Sequence, residues 1–406
     1  MRFERGDILS SLEQKDTKLQ SLLEITNAIN ANLSIDHLLR IFSFTLKEQL
    51  GFHRFVLVLK QEEWGIATKV GFKGKIDLNH TVQTLSRFRE ITLVESSNDL
   101  VIREFQAIIP VIHQNQPLAY LLISTLGKTD DLDTNHFSFA QTLTNIIAVA
   151  VENKRLFREA FIKQRMSKDL EVASEMQKLL FPSDLPSNRR MDLSARYIPR
   201  HAVGGDYYDF IPLGDDEYII CIADVSGKGI SAALLMANFQ ATIRTLFKYQ
   251  RFELPFILEE LNKMVMQSAK GEKFITFFLA HYNAHNRQLK YVNAGHNQPF
   301  LLHGKKVTLL SEGCIGLGML DELPFISEGK LILAPNTTFV LYTDGVVELE
   351  NEEGEHFGLD RLIKNVQAYA PLKMEDVNNI LFSKLDDWRG KLNLVDDTAI
   401  FSCKFF

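Results

Sequence analysis

Val203 to Met236 reads VGGDYYDFIPLGDDEYIICIADVSGKGISAALLM, and the change of period along it decides what kind of domain surrounds it. Tyr218–Ala223 is a short apolar run suited to a buried strand, and from Ser231 the apolar positions Leu234, Leu235, Ala237, Phe239, Ile243 and Leu246 follow helical spacing. Asp206 and Asp224 each stand where a strand-like run meets a glycine-bearing turn. A carboxylate at the end of a core strand is costly unless it meets a cation or a set of donors. Both are therefore candidate ligands rather than packing residues.

Outward from that stretch, residues 188–406 alternate strands with helices. Strands are expected at Phe274–Tyr282, Leu289–Asn293, Phe300–Leu302, Val307–Leu310, Leu331–Leu333, Thr338–Tyr342 and Thr398–Phe405, and helices at 231–249, 255–268, 359–369 and 374–389. Many strands with long helices inserted between them fit an α+β layered sandwich better than a parallel nucleotide-binding sheet. Two more carboxylate turns occur here: Tyr342-Thr343-Asp344-Gly345 and Asp396-Asp397-Thr398. Four strand-end acids repel one another if they converge, by about 4 kcal/mol per pair at ~4 Å and an effective dielectric near ~20. Hard divalent cations remove that cost and prefer oxygen ligands, which points to Mg²⁺ or Mn²⁺ rather than Zn²⁺. Asn293, Gly295 and His296 read as a structural turn. Asp209, Asp215, Asp216 and Asp321 read as solvated loop acids.

The first half begins with an apolar seam over residues 8–33, at Ile8, Leu12, Leu19, Leu22, Ile29 and Leu33. Ser34 is placed to cap a second helix that Gly51 ends. Strand-like runs follow at Phe55–Leu59, Ile66–Val70, Ile91–Val94, Ala107–Ile112 and Leu118–Ser124, then a helix from about Thr134. That helix continues without a breaker to Phe181-Pro182, with Ile162, Met166, Leu170, Ala173, Met176 and Leu180 at spacings of three and four. An isolated helix so long is marginal unless its seam is buried, so a parallel coiled coil over 148–181 is expected.

The chain has 406 residues and a net charge of −6, a balance that gives no reason to expect nucleic acid or an anionic membrane as partner. It opens without a signal-peptide core, and no apolar run approaches the ~18–20 residues that span a bilayer, so a cytoplasmic protein is expected. Cys221, Cys314 and Cys403 have no metal-ligand spacing. Six positions after Cys221 and Cys314 stand Gly227 and Leu320, where a cysteine-phosphatase loop needs arginine. The sequence SGKGIS lacks the glycine and the Gly-Lys-Ser/Thr order of a phosphate-binding P-loop.

Five motifs in order, VGGDYYDF, ADVSGKGISAALLMA, YVNAGHNQPFLL, LYTDGVVELENEEGEHFG and DDTAIF, resemble the SpoIIE/RsbU branch of the PPM-type metal-dependent serine/threonine phosphatases. LEVASEMQKLLFP resembles the segment preceding that catalytic domain. The resemblance covers residues 168–406 and implies an αββα sandwich over 188–406. It further implies that Asp224 bridges two Mn²⁺ or Mg²⁺ ions, that the Val225 carbonyl supports one, that Asp344 and Asp396 hold the other and that Asp206 completes the cluster directly or through water, with Asp397 the neighbour of the ligand Asp396 rather than the ligand. The reaction implied is hydrolysis of a phosphoserine or phosphothreonine ester by metal-activated water, on a phosphorylated STAS-domain protein. LLEITNAINANLSIDHLLRIF and VIHQNQPLAYLLI make residues 17–155, after the N-terminal helical residues 1–16, resemble a GAF domain, an α/β sensory module for an unidentified small-molecule or protein signal. The whole then reads as a sensor and a phosphatase joined by a coiled-coil linker that makes a homodimer. The rival reading is a signalling scaffold or pseudophosphatase acting by partner binding.

Overall fold

The computed structural model describes residues 2–94, 99–113, 115–125, 134–214, 216–249 and 253–406, with residues 2–14 described by backbone alone. The chain divides into two compact units, Met1–Arg165 and Met166–Phe406.

The first unit runs α1 (Arg2–Asn30), α2 (Ile35–Phe44), β1 (Arg54–Lys60), β2 (Trp64–Val70), α3 (Leu78–Leu85), β3 (Thr92–Leu93), β4 (Ala107–His113), β5 (Gln116–Ser124) and the start of α4 (Thr134–Lys178). Its antiparallel sheet has the order β2-β1-β5-β4-β3. Alternation along β1 and β5 sends Leu57, Leu59, Leu121 and Ile123 to one face, against Ile25, Leu38, Phe42, Leu143 and Ile147 of α1, α2 and α4. The opposite side chains, Val56, Val58, Tyr120 and Leu122, meet Leu85 of α3 and Phe105. The Ser34 side chain caps α2 by accepting from the His37 N–H, as expected. Three readings are adjusted. α3, capped by Asp77, lies in a stretch left without an element; the first helix ends at Asn30, beyond which Asn32 takes a positive φ; and α4 stops at Lys178, four residues before Pro182. Ile8 and Leu12 of the expected seam lie outside the residues whose side chains are described. Along α4, Phe157, Phe161, Ile162, Met166 and Met176 are exposed.

The second unit contains β6 (Met191–Ile198), β7 (Tyr207–Gly214), β8 (Glu217–Val225), α5 (Ile230–Tyr249), α6 (Leu254–Ala269), β9 (Ile275–Asn283), β10 (Gln288–Ala294), β11 (Phe300–His303), β12 (Lys306–Leu309) and β13 (Gly313–Cys314). After these come β14 (Gly329–Ile332), β15 (Thr337–Tyr342), α7 (Asp344–Val347), α8 (Leu359–Tyr369), α9 (Met374–Arg389) and β16 (Thr398–Phe405). One sheet has the order β13-β10-β9-β8-β7, with β14 also on β10; the other has the order β12-β11-β15-β16-β6. Tyr208, Ile220, Ile222, Phe278, Phe339, Leu341, Phe401 and Cys403 fill the space between the sheets. Helices α5 and α6 cover the first sheet through Phe239, Ile243, Leu258 and Leu261, and α8 and α9 cover the second through Leu362, Val366, Leu381 and Leu385. This is the four-layer αββα sandwich that the motifs implied. β6 was not anticipated, although Met191, Leu193, Ala195 and Tyr197 alternate along it toward the inter-sheet core. No helix among the described residues is long and apolar enough to cross a membrane.

Candidate metal centre

Antiparallel pairing decides where the acids go. β7 pairs with β8 so that Tyr207 faces Ala223, which puts Asp206, just before β7, next to Asp224 near the end of β8. β15 pairs with β16 so that Tyr342 faces Ile400, which puts Asp344, just after β15, beside Asp396-Asp397, just before β16. Stacking the two sheets brings both pairs to one edge of the sandwich. Thr343 Oγ1 donates to Asp206 Oδ2 at 2.7 Å, and the Gly205 N–H donates to Asp397 Oδ2 at 2.7 Å, so hydrogen bonds cross between the sheets there.

Asp206 is buried, and its carboxyl is pushed well above the usual range by that burial, then by the charges of Asp224 and Asp397, with the Thr343 hydroxyl opposing. Asp224 is pushed up to about 7, by burial first and then by Asp344, Asp396 and Asp397. Asp344 is pushed up to about 6 by burial, Asp396 and Glu348, against the Gly345 N–H and Lys228. Three carboxyls thus disfavour their own ionisation largely because they share one low-dielectric corner.

The two acids before β16 have separate jobs. Asp397 turns toward the 200–205 loop, accepting from the Arg200 N–H at 2.8 Å as well as from Gly205. Asp396 meets Lys228, whose Nζ stands 2.6 Å from its Oδ2 and also donates to the Val395 carbonyl at 2.9 Å. The resemblance puts Asp396 ahead of Asp397 as the ligand, and in the structure two backbone N–H groups engage the Asp397 carboxylate. Gly345 must be glycine, since a Cβ there would overlap the Asp397 carbonyl.

A cation in this corner would meet oxygen donors, with neither thiolate nor imidazole among the acids that converge, and that chemistry suits Mg²⁺ or Mn²⁺. The Val225 carbonyl oxygen lies close to Gly205: a Cβ there would sit 2.9 Å from it. The residues therefore fit a divalent-cation site. Among the described residues no three His, Cys, Asp or Glu side chains close into a metal-binding group.

The Asn293–His296 turn is structural, as read. His296 Nε2 donates to the Tyr342 carbonyl at 3.2 Å, which leaves Nδ1 to accept from Thr276 Oγ1 at 2.9 Å. Thr276 is the cross-strand neighbour of Asp224, so this histidine ties the strand beside one acid to the strand that ends at Asp344. Burial pushes its pKa down to about 4, so it stays neutral near neutrality. Cys221 and Cys403 are buried and Cys314 is half-buried, all three as free thiols.

Asp209 is a correction. It is not a solvated loop acid: it lies in β7, buried, with Arg244 Nε and Nη2 on its two oxygens at 2.7 and 2.9 Å and the Tyr207 hydroxyl at 2.5 Å. Period-2 alternation puts it on the same face as Tyr207, under α5, and that alternation was the signal available. Asp216, half-buried in the turn before β8, pairs with Arg190, while Asp321 stays exposed. Asp215 lies outside the described residues.

A double sheet flanked by helix pairs, with four acids at one edge of the sheets, defines the PPM class of phosphatase domain. Comparison with known proteins agrees. The family described as Stage II sporulation protein E (SpoIIE) matches residues 214–406. The chain is 33% identical to phosphoserine phosphatase RsbU of Bacillus subtilis over 243 residues, covering 56% of this chain and 68% of that protein. It is 28% identical to protein IcfG of Synechocystis sp. over 261 residues, covering 57% of this chain and 41% of that one. The solved SiaA-PP2C domain of Pseudomonas aeruginosa shares the fold at a TM-score of 0.55 and 23% identity, over 60% of this chain and 99% of that one. The chain belongs to the SpoIIE family of PPM-type serine/threonine phosphatases.

Proposed function

We propose that this chain is a cytoplasmic protein phosphatase that removes phosphate from serine or threonine of a STAS-like protein, with two Mn²⁺ or Mg²⁺ ions held by Asp206, Asp224, the Val225 carbonyl, Asp344 and Asp396. The observation that carries it is geometric: strand register and the Thr343–Asp206 hydrogen bond bring Asp206 and Asp224 to the same edge of the sandwich as Asp344 and Asp396. Bound there, divalent cations supply an activated water and screen the charge of the phosphate ester. The chain's own residues prepare the corner. Thr343 orients Asp206, His296 and Thr276 brace the strands that carry Asp224 and Asp344, and Asp397 fixes the loop before Asp206. Lys228 adds a positive charge beside Asp396, placed to attract a phosphate dianion to the rim of the acids.

Residues 17–155 act as a GAF-like sensor, supported by a single sheet with helices on both faces. A homodimer through 148–181 is supported by the exposed apolar positions of α4, which a partner helix would cover. The test is phosphate release from phosphorylated STAS-domain protein by the full chain. Activity should vanish after exhaustive chelation and return with Mn²⁺ or Mg²⁺. Rescue by Zn²⁺ alone, or tight binding of the phosphoprotein without release of phosphate under Mn²⁺, would favour a scaffold that acts by binding.

A further inference from the structure

Gln177, in the last turn of α4 and within the second unit, turns both its amide nitrogen and its amide oxygen to one residue. It is 7% exposed; its Nε2 donates to the Gly204 carbonyl at 2.7 Å and its Oε1 accepts from the Gly204 N–H at 3.1 Å. A primary amide presents a donor beside an acceptor, and here the pair matches one residue's C=O and N–H much as a neighbouring strand would. Gly204 leaves no room for a substitute from its own side chain, because a Cβ would overlap Tyr197 Oη and Asp397 Oδ2.

The next two residues are pinned by other elements. Gly205 donates to Asp397 in the turn before β16, and Asp206 accepts from Thr343 at the end of β15. Asp397 and Thr343 flank strands of the second sheet, whereas Gln177 belongs to α4. The chain beyond α4 is docked separately. Phe181 lies against Tyr197 and Tyr208, with ring centroids 5.2 and 4.8 Å away, and Gln240 Nε2 donates to the Leu180 carbonyl at 3.2 Å. Docking of the helix end and clamping of the loop are therefore carried by different residues.

We propose that Gln177 is a positioning residue for the carboxylate corner: by holding both polar groups of Gly204 it sets the backbone that presents Asp206 and brings Gly205 up to the Val225 carbonyl. This rests on the metal-dependent reading above. Loss of the amide leaves two buried backbone groups without partners, and the loop shifts to recover them.

The experiment uses the full chain, with Mn²⁺ binding followed by the electron paramagnetic resonance of free Mn²⁺, and melting of the metal-free protein measured alongside. Gln177→Ala should weaken Mn²⁺ binding by about 10-fold, the low end of the ~10–100-fold lost with a direct partner of a metal ligand, because the amide acts on Asp206 through the Gly204 backbone. Excess Mn²⁺ should then recover most of kcat with KM for the phosphoprotein unchanged. Gln177→Glu, close in shape but offering oxygen to the Gly204 carbonyl, should weaken Mn²⁺ binding too, and it decides alone if the alanine variant does not fold. Gln240→Ala should lower the melting temperature and leave Mn²⁺ affinity as in wild type. Wild-type Mn²⁺ affinity in the Gln177 variants, or an equal loss in Gln240→Ala, would overturn the assignment. Failure of the wild-type chain to bind Mn²⁺ overturns the metal-dependent reading itself, and this inference with it.

Discussion

Asp206 and Asp209 stand three residues apart, are both buried, and are answered in opposite ways. Asp209 receives a two-pronged Arg244, a tyrosine hydroxyl and the Phe210 N–H. Asp206 receives the Thr343 hydroxyl and otherwise faces other acids. A buried carboxylate without a partner is expensive in either place. Where the fold supplies the cation, the acid ties β7 to α5. Where it supplies more carboxylates, the charge must be met from outside the chain or removed by a proton. Burial therefore does not distinguish a structural acid from a site acid; the sign of the neighbours does.

The contrast breaks most sharply at Asp224 and Asp344. Asparagine at either should lower turnover by about 10²–10³-fold or more, the scale of losing a group that preorganises transition-state charge, with circular dichroism unchanged. Near-wild-type turnover with Mn²⁺ would take the site elsewhere. Next in size is Arg244→Met, which leaves the Asp209 carboxylate buried without its cation and should cost about 3–5 kcal/mol in denaturant unfolding. Its Mn²⁺ affinity should hold; a parallel loss of Mn²⁺ binding would make the two acids one network.

A smaller effect separates the regions by pH. The carboxyl of Asp224 is raised in the fold, to about 7 from an ordinary 3.8, so the folded metal-free chain holds a proton that the unfolded chain has released. That contribution to stability is complete below pH ~4 and is lost as pH rises through ~7. Asp344, raised to about 6, acts in the same direction. Chelated protein should thus unfold more easily at pH ~8 than at pH ~5, by about 2–3 kcal/mol for Asp224, and saturating Mn²⁺ should remove most of the difference. An unchanged or opposite pH dependence would mean that the acids do not share charge. The smallest effect on folding belongs to the α4 seam. Met166→Glu and Leu170→Glu should change stability by about 0.5 kcal/mol or less, yet abolish self-association in sedimentation equilibrium. A wild-type mass in both variants would leave that seam without a role in pairing.

Much of this molecule is legible in the chain. Helices 359–369 and 374–389 fall where the apolar period put them, and Asp206, Asp224, Asp344 and Asp396 come to one edge of the sandwich. The helices are legible because an element's period reports which of its faces is buried, and the acids stand out because a strand-end acid beside a glycine turn is a local pattern. α3 lies in a stretch without strong periodicity, and its cap at Asp77 is the local signal for it. Asp209 reads as a solvated acid by its charge, while strand alternation turns it inward to Arg244.

What the sequence by itself determined is the composition of the corner: four acids, no sulfur, small residues at the turns, and hence the class of cation it suits. Tertiary structure alone decided which acid faces which partner. Thr343 reaches Asp206 across 137 residues, Asp397 reaches Gly205 across 192, and Gln177 reaches Gly204 across 27. Periodicity carries no information about such pairings, since each depends on how two sheets and a helix end close on one another. The same closure assigns Asp396 and Asp397 their separate roles, because neighbouring side chains diverge from the backbone and only the surrounding donors select between them.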